Sequence, residues 1–446
     1  MIEAARPRYA RAPHTLLLRL PAVGDNAAME AEPPNTDPPK RKRRWLQFSL
    51  RSLLIFTLIC AVASAWLVRK RDRKRKEREA VEAIVKRGGM VRYDYQFGNK
   101  PQASPPGPAW LRGILGESIF AEVRFVSFSA TGSSLSDADL ENLRGFTELE
   151  QLYLRYEPGV SDAGVAHIKG LTKLKILFLS GTAINDPGFE QLKELTGLKK
   201  LDLSGTRITD AGLAYLKGMV QLETLYLMST DIGDAGLEHL KGLTRLQALS
   251  LDSANVGDAG LASLEGLTQL DRLFLGNRFG ESKVTDAGLV HIGKLTRLKH
   301  LDVACDNVTD AGLARLARLT QLESLDLRAT KVSDAGLKHL KGMTRLNSLQ
   351  LGANVSDAGI EQLKSLPQLE DLTLVGPNVT DAGLAKLKEL RRLHVLHLCG
   401  PSFTDSGLPN LKGFARLTFL ELLATQVSVA GEDALRKALP SCQISP

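Results

Sequence analysis

The stretch Val308–Thr330, VTDAGLARLARLTQLESLDLRAT, recurs with small changes along most of this chain of 446 residues. In an equivalent unit, LKKLDLSGT (Leu198–Thr206) alternates apolar and polar residues as a β-strand does, whereas TDAGLAYLKGM (Thr209–Met219) places its leucines at helical spacing. One unit of this size cannot bury both its strand and its helix. Stacked units form a continuous leucine core, so the sequence predicts a solenoid.

The strand pattern L-x-x-L-x-L sets the register of thirteen units, mostly 24 residues apart. Their first positions are Val123, Leu149, Leu174, Leu198, Leu222, Leu246, Leu270, Leu298, Leu322, Leu346, Leu369, Leu393 and Leu417. One such match means little by itself, but this many in register strongly indicate a repeat architecture. The last unit has Val429 in place of the recurring aspartate, which favours a C-terminal capping unit.

The motif LKKLDLSGTRI matches L-x-x-L-x-L-x-x-[N/C/T]-x-[L/I/V] and resembles leucine-rich repeat proteins. The inserted [VI]-[ST]-D-A-G-L resembles the repeats of bacterial membrane-anchored members and of F-box leucine-rich proteins. The resemblance implies an α/β leucine-rich repeat solenoid, a horseshoe or arc with a concave parallel sheet and short convex helices. It also implies protein binding and seldom implies catalysis. Residues 1–118 show no F-box, which weakens a role in a ubiquitin ligase.

An uncharged segment of 17 residues, Ser52–Val68, lies between the basic blocks Lys40–Arg44 and Arg69–Arg78. Its helical length of about 26 Å approaches the thickness of the hydrocarbon core of a bilayer. We therefore expect one transmembrane helix and an uncleaved anchor. The alternative is a cleaved signal peptide, because Ala63–Ala65 (ASA) resembles a signal-peptidase site.

The charge is concentrated at the N-terminal end of the chain. Residues 1–120 carry 23 Lys/Arg and 11 Asp/Glu, whereas the remainder carries 35 and 39. This distribution argues against nucleic-acid binding by the repeats. Basic residues number six before the apolar segment and eight after it, so the positive-inside rule favours only slightly a cytoplasmic repeat domain in a single-pass membrane protein.

These features divide the chain into four segments. We predict a disordered basic N-terminal tail at 1–44 and a transmembrane helix at 45–68 that contacts the lipid bilayer. A juxtamembrane helix and a Pro-rich spacer are expected at 69–118, and the leucine-rich repeat domain at 119–446.

The aspartate of each DAG precedes the helical leucines, so we predict that it caps a helix whose first N–H groups lack partners. Calcium binding is a weaker alternative, because each turn offers few further oxygen ligands. The aspartates predicted as structural helix caps are Asp162, Asp210, Asp234, Asp258, Asp286, Asp310, Asp334, Asp357 and Asp381. We read the glycine two residues later as permitting close approach between neighbouring turns.

Side chains at the middle position of each strand, and their period-two neighbours, are expected on the concave face. In the first half of the repeats they are aromatic or apolar, and in the second half they are polar or acidic. The predicted protein-binding residues are Tyr153, Phe178, Tyr226, Phe274, Ile176, Met228, Asp302, Asp326 and Arg328. The two aspartates, one strand apart, are compatible with a basic partner.

No catalytic, cofactor or metal site is predicted. The four cysteines form no CxxC pair, and the sequence contains no phosphate loop, nucleophile elbow or HExxH motif. We expect a non-catalytic protein-interaction scaffold or receptor-like module held at the membrane. The alternatives are a structural envelope protein that binds itself or a cell-wall polymer, and the substrate-recognition subunit of a ubiquitin-ligase-like complex.

Overall fold

The computed structural model describes residues 50–97, 104–115, 117–128, 135–252, 255–276 and 282–446. The predicted tail and the first residues of the predicted span, 45–49, lie outside the described residues. The chain divides into two compact units after Val62. The described part of the first unit is helical, and the second unit, Ala63–Pro446, contains the sheet.

A single sheet orders its described strands as they occur in the chain, each hydrogen-bonded to the next. β1 pairs with β2 in antiparallel fashion, and all later pairs are parallel. The strands are β1 Met90–Tyr93, β2 Val123–Phe128, β3 Gln151–Leu154, β4 Ile176–Phe178, β5 Lys200–Asp202, β6 Thr224–Tyr226, β7 Ala248–Ser250, β8 Arg272–Phe274, β9 His300–Asp302, β10 Ser324–Leu327, β11 Ser348–Leu351, β12 Asp371–Val375, β13 Val395–Cys399, β14 Phe419–Leu423 and β15 Gln443–Ser445.

The first helix precedes β1, and each later helix lies in a connection between two successive strands, on the other side of the core. They are α1 Leu50–Lys86, α2 Ala109–Leu115, α3 Asp162–Val165, α4 Asp186–Glu190, α5 Asp210–Leu213, α6 Asp234–Leu237, α7 Asp258–Ala262, α8 Leu289–Ile292, α9 Asp310–Leu316, α10 Asp334–Leu337, α11 Asp357–Ile360, α12 Asp381–Lys386 and α13 Val429–Ala438. Tighter 3-10 turns occupy Asp94–Gln96, Glu117–Phe120, Asp137–Gly145, Ala214–Gly218, Glu238–Leu240, Lys338–Gly342, Glu361–Ser365, Leu387–Glu389 and Leu408–Leu411. The predicted two-turn helix is thus typically one α-helical turn that tightens before the next strand.

The repeat register makes the core one continuous stack of leucines. Leu325 of β10 is aligned with Leu301 of β9 and Leu349 of β11, and all three are buried. The same cluster begins with Ala80 and Ile84 of α1, and includes Leu435 of α13. The predicted α/β solenoid with a parallel sheet and short helices is confirmed.

Helix α1 is longer than the sequence suggested. The predicted span and juxtamembrane helix form one continuous helix, because the residues between Val68 and Lys86 are mostly Arg, Lys, Glu and Ala, which are strong helix formers. The helix stops before Gly88, whose φ of 81° suits glycine. Among the helices of the described residues, α1 is the one that is long and apolar enough to cross a membrane.

The basic block after the apolar segment contributes a buried side chain to the protein. Lys74 is 3% exposed, and its Nζ donates to both carboxylate oxygens of Glu77 and to Glu122 Oε2 at 2.8–2.9 Å. A further bond reaches the carbonyl of Ala121. Lys74 is therefore an internal residue of the second unit, although its place in a block of eight basic residues does not distinguish it from its neighbours.

Candidate interaction face

The face of the sheet opposite the helices, here called the open face, presents the side chains that alternate with the buried leucines. Its most distinctive feature is a row of rings from Phe125, Tyr153, Phe178 and Tyr226. Neighbouring centroids are 5.3, 4.9 and 6.4 Å apart in that order, and the last two contacts are edge-on. These are the favourable geometries for aromatic pairs. We call these four residues the aromatic row.

Arg155 covers the middle of the aromatic row. Its guanidinium carbon lies 4.3 Å from the ring centroid of Phe178 and 6.0 Å from that of Tyr153. Its Nε is 3.9 Å from the carboxylate of Asp202, which holds the cation over the rings. Burial raises the pKa of Tyr153, and the positive charge of Arg155 opposes this rise. Arg155 itself is exposed.

Sequence reasoning missed Arg155, although a signal was present. It follows Tyr153 by two residues, and residues two apart in a strand share a face. The prediction added only Ile176, Met228 and Arg328 to the middle residues of the strands, and it did not consider Arg155. An arginine side chain beside two aromatic rings forms an amphipathic surface, which is not recognised when only the aromatic residues are considered.

The predicted apolar residues of the open face differ in exposure. Tyr153, Ile176 and Tyr226 are partly exposed, and Met228 is 39% exposed. Phe178 is only 8% exposed, because two rings and Arg155 surround it. It therefore supports the neighbouring rings more than it offers a surface of its own.

Phe274 lies apart from the aromatic row. Its partners in register are Ser250 and Asp302, and neither is aromatic. The side chain is partly exposed. Phe274 was predicted to bind a partner together with the other rings, but the structure does not join it to them.

Asp302 and Asp326 are aligned on adjacent strands, as the repeat register predicted. They are 9% and 5% exposed. Asp302 accepts a bond from the backbone N–H of Ala304 at 2.9 Å. The carboxylate of Asp326 accepts hydrogen bonds from Nε and Nη2 of Arg328 at 2.6–3.1 Å. These hydrogen bonds raise the pKa of Arg328. Arg328 therefore offsets the charge of Asp326, and both carboxylates are largely withdrawn from the surface that a basic partner would contact.

The recurring aspartates lie away from the open face, at the start of the helical turn that follows each strand. In most repeats the aspartate is the first helical residue and the residue before it is the N-cap, as at Asp310 and Asp334. Asp286 and Asp405 instead lie in a turn, three residues before the first helical residue.

The carboxylate of Asp310 accepts bonds from the next repeat, at 2.7 Å from both the N–H and the hydroxyl of Ser333. The Ser333 hydroxyl in turn accepts from Ala335 N–H. The aspartate thus holds the N-cap residue of the helix in the next repeat. We had predicted instead that it caps the helix of its own repeat.

The same bond from aspartate to the next repeat recurs along the solenoid. The acceptors are Asp137, Asp162, Asp186, Asp210, Asp234, Asp258, Asp286, Asp310, Asp334, Asp357, Asp381 and Asp405. Three of the donating N-cap residues, Asn185, Gly233 and Gly257, carry no hydroxyl and donate to the aspartate from their N–H. We call this series the aspartate ladder.

The titratable side chains near the open face form few close groups. Over the described residues, no group of three or more His, Cys, Asp or Glu is placed to hold a metal ion. His397 and Glu421 form a pair at 2.7 Å on adjacent strands. Burial raises the pKa of the nearby Cys399, which keeps this thiol protonated.

Comparisons with known proteins agree with this architecture. A family model described as Leucine Rich repeat matches residues 195–217 and 221–241. The crystal structure of an internalin (inlF) from Listeria monocytogenes matches 75% of this chain and 92% of its own, with 24% identity and a TM-score of 0.52. This likeness concerns the fold. A search of curated proteins found no match.

Two further solved structures are less similar. A leucine-rich repeat protein of Leptospira interrogans is 16% identical over 69% of this chain and 74% of its own, with a TM-score of 0.38. A second internalin of Listeria monocytogenes, internalin C2, is 21% identical over 60% of this chain and 87% of its own, with a TM-score of 0.31.

Proposed function

We propose that this leucine-rich repeat protein is a membrane-anchored, non-catalytic interaction module that binds a protein partner through its aromatic row. The observation that carries the proposal is the set of ring contacts capped by the exposed Arg155. Protein interfaces are enriched in Tyr, Phe, Met and Arg, and their binding energy concentrates in a few such residues. Leucine-rich repeat domains typically serve as interaction scaffolds.

Rigidity favours this part of the open face as a binding surface. The rings project from strands β2–β6, whose backbones are hydrogen-bonded to one another. Their rotamers are already restricted by mutual contact, so that little side-chain freedom is lost when a partner covers them. Partly exposed Tyr153, Tyr226 and Met228 supply apolar area, and Arg155 supplies a directional donor.

The apolar part of α1 supports the membrane anchor. Leu54, Phe56 and Leu58 are 62%, 63% and 66% exposed, and no charged residue occurs from Ser52 to Val68. A long row of uncovered apolar side chains is unfavourable in water and favourable in hydrocarbon. We propose insertion of this segment into a bilayer.

The test compares capture of partners by the full chain, purified in neutral detergent, with capture by variants. The double variant Tyr153→Ser/Tyr226→Ser removes the two partly exposed phenols and leaves the more deeply buried Phe178 in place. We expect a discrete protein, identified by mass spectrometry after crosslinking, to be lost from this variant. Val290→Ser, at a side chain that is 40% exposed on α8, is the matched control and should retain it.

Two outcomes would contradict the proposal. Capture that is equal for the wild type and the double variant would remove the aromatic row from the interface. Capture of only further copies of this chain would favour the structural alternative, in which the repeats pack against their own kind. Circular dichroism of each variant separates loss of binding from loss of fold.

A further inference from the structure

The residue before the leading leucine of each strand alternates between Gln and Arg in the second half of the solenoid. The series is Gln221, Arg245, Gln269, Arg297, Gln321, Arg345, Gln368 and Arg392. Each arginine donates from Nη1 to the Oε1 of the glutamine in the preceding repeat, at 2.6 Å for Arg297 and 2.5 Å for Arg345 and Arg392. Arg245 makes the same contact with Gln221. Each cation in this series therefore has a built-in acceptor.

The alternation fails in the next repeat, where Arg416 occupies the place of a glutamine. The preceding position is Arg392, a like charge that is already bonded to Gln368 and, at 2.7 Å, to Glu370. Within the described residues, Arg416 has neither a hydrogen-bonded nor an ion-paired partner. An extra cation beside another cation is electrostatically unfavourable unless an anion joins them.

Arg416 lines a cavity of about 370 Å³ together with Lys388 and Arg391. Asn410 contributes an amide, and the buried ring of Phe414 forms part of the wall. Lys388 and Arg391 likewise have no ion-paired carboxylate in the part of the chain that the structure describes. Three long cations thus converge on one opening large enough for a small ligand.

Two other grooves, at the strand starts of earlier repeats, contain acidic side chains. The groove beside Arg245 includes Glu223, and the groove beside Arg345 includes Glu323 and Glu370. The lining of the cavity at Arg416 includes no carboxylate. In repeat register, the position of Glu223 and Glu323 is occupied by His394 in the repeat before Arg416. The surplus positive charge near Arg416 therefore arises from two separate changes, a lost glutamine and a lost acid.

We infer that this cavity, formed by Lys388, Arg391, Asn410 and Arg416, binds the phosphate group of an anionic ligand. Two guanidinium groups match the spacing of phosphate oxygens, and an ammonium adds a point charge. A phosphate is favoured over a single carboxylate because three positive charges call for more than one negative charge. The site lies beside the 3-10 turns Leu387–Glu389 and Leu408–Leu411, and it is separate from the aromatic row.

Calorimetric titration of inorganic pyrophosphate into the full chain in neutral detergent tests this site. We expect saturable binding that becomes about tenfold weaker in Arg416→Gln, since a charge-assisted contact is lost. Glutamine occupies the same place in four other repeats, so the variant should keep the melting temperature of the wild type. The matched control Arg345→Gln should bind pyrophosphate as the wild type does.

A second arm distinguishes a free phosphate from a lipid headgroup. The full chain is placed in phosphatidylcholine nanodiscs with or without phosphatidate. If phosphatidate abolishes the pyrophosphate signal of the wild type, the headgroup occupies the site; if the signal persists, a free ligand is the occupant. Both results support phosphate recognition, whereas absent binding, or binding that is unchanged in Arg416→Gln, would overturn it.

Discussion

At the residue scale, the aspartate and glycine of each DAG are two parts of one contact between repeats. A Cβ built on Gly336 would lie 2.2 Å from Oδ1 of Asp310 in the preceding repeat. That oxygen also accepts the N–H of Ser333 at 2.7 Å, so the carboxylate cannot retreat without losing a bond. Glycine is thus required by the neighbour's carboxylate and not by an unusual φ.

Substituting Gly336→Ala should therefore destabilise the protein. Forcing a methyl group against Asp310 costs about 1–3 kcal/mol, as overpacking does in other cores. Thermal unfolding followed by circular dichroism should show a lower melting temperature. Gly242→Ala is the control, because its Cβ would meet no atom within 4 Å and should leave stability unchanged or slightly raised. Equal melting temperatures for the two variants would refute the contact.

The last member of the aspartate ladder predicts a dependence on pH. The hydroxyl and the N–H of Ser428 donate to Asp405 at 2.6 and 2.8 Å, and these bonds hold the pKa of Asp405 below its usual range. A depressed carboxylate pKa stabilises the fold above the unfolded pKa, and this contribution is lost as the pH falls through the folded value.

Asp405→Asn should consequently melt at a lower temperature than the wild type at neutral pH. The difference should shrink as the wild type becomes protonated, and it should vanish below the folded pKa of Asp405. Melting curves of both proteins across the acidic range measure this convergence. A difference that stays constant with pH would show that charge at this position does not contribute.

At the element scale, α1 shows why local patterns locate helices better than they assign their roles. The apolar run and the amphipathic run after it were both recognisable, and the composition between them favours helix. The burial of Lys74 was not recognisable, because its partner Glu122 lies 48 residues away in sequence. Seven other basic residues of the same block carry no distinguishing signal.

Lys74→Ala should destabilise the second unit strongly. Glu77 is 5% exposed, and removal of Lys74 would leave its carboxylate without the cation that it contacts at 2.8 Å. Breaking a buried pair in this way costs about 3–5 kcal/mol. Lys76→Ala, two residues away and exposed, is the matched control. Denaturant titration of the full chain in detergent compares them, and a similar midpoint for both would contradict the buried role.

At the scale of the whole molecule, the repeat period alone predicted the solenoid and its parallel sheet. Periodicity specifies which residues face the core, because every repeat packs against its neighbours in the same way. Periodicity does not specify how neighbouring side chains share the open face. The burial of Asp326 depends on Arg328, and that of Phe178 on Arg155 from another strand. Such contacts need coordinates, which is why the period alone does not predict how far each side chain of the open face is exposed.

Eight basic residues after the apolar segment, against six before it, favour a cytoplasmic repeat domain. A cysteine introduced by Lys217→Cys, at an exposed site on the second unit, should then resist a membrane-impermeant maleimide in intact cells and react after permeabilisation. The wild type measures the background labelling, because Cys60 and Cys399 are at least partly exposed whereas Cys305 and Cys442 are buried. Labelling in intact cells would place the repeats outside.

The anchor itself makes the last prediction. Two charges within the apolar segment, in Leu54→Arg/Leu58→Arg, would each cost about 2.5–3.5 kcal/mol in a bilayer. We expect the wild type to stay with membranes in alkaline carbonate and the double variant to move to the supernatant. Val290→Arg/Leu423→Arg adds the same charge at exposed positions of the second unit and should remain with the membranes. Release of the wild type, or a mature N-terminus at Trp66, would show instead that the segment is a cleaved signal peptide.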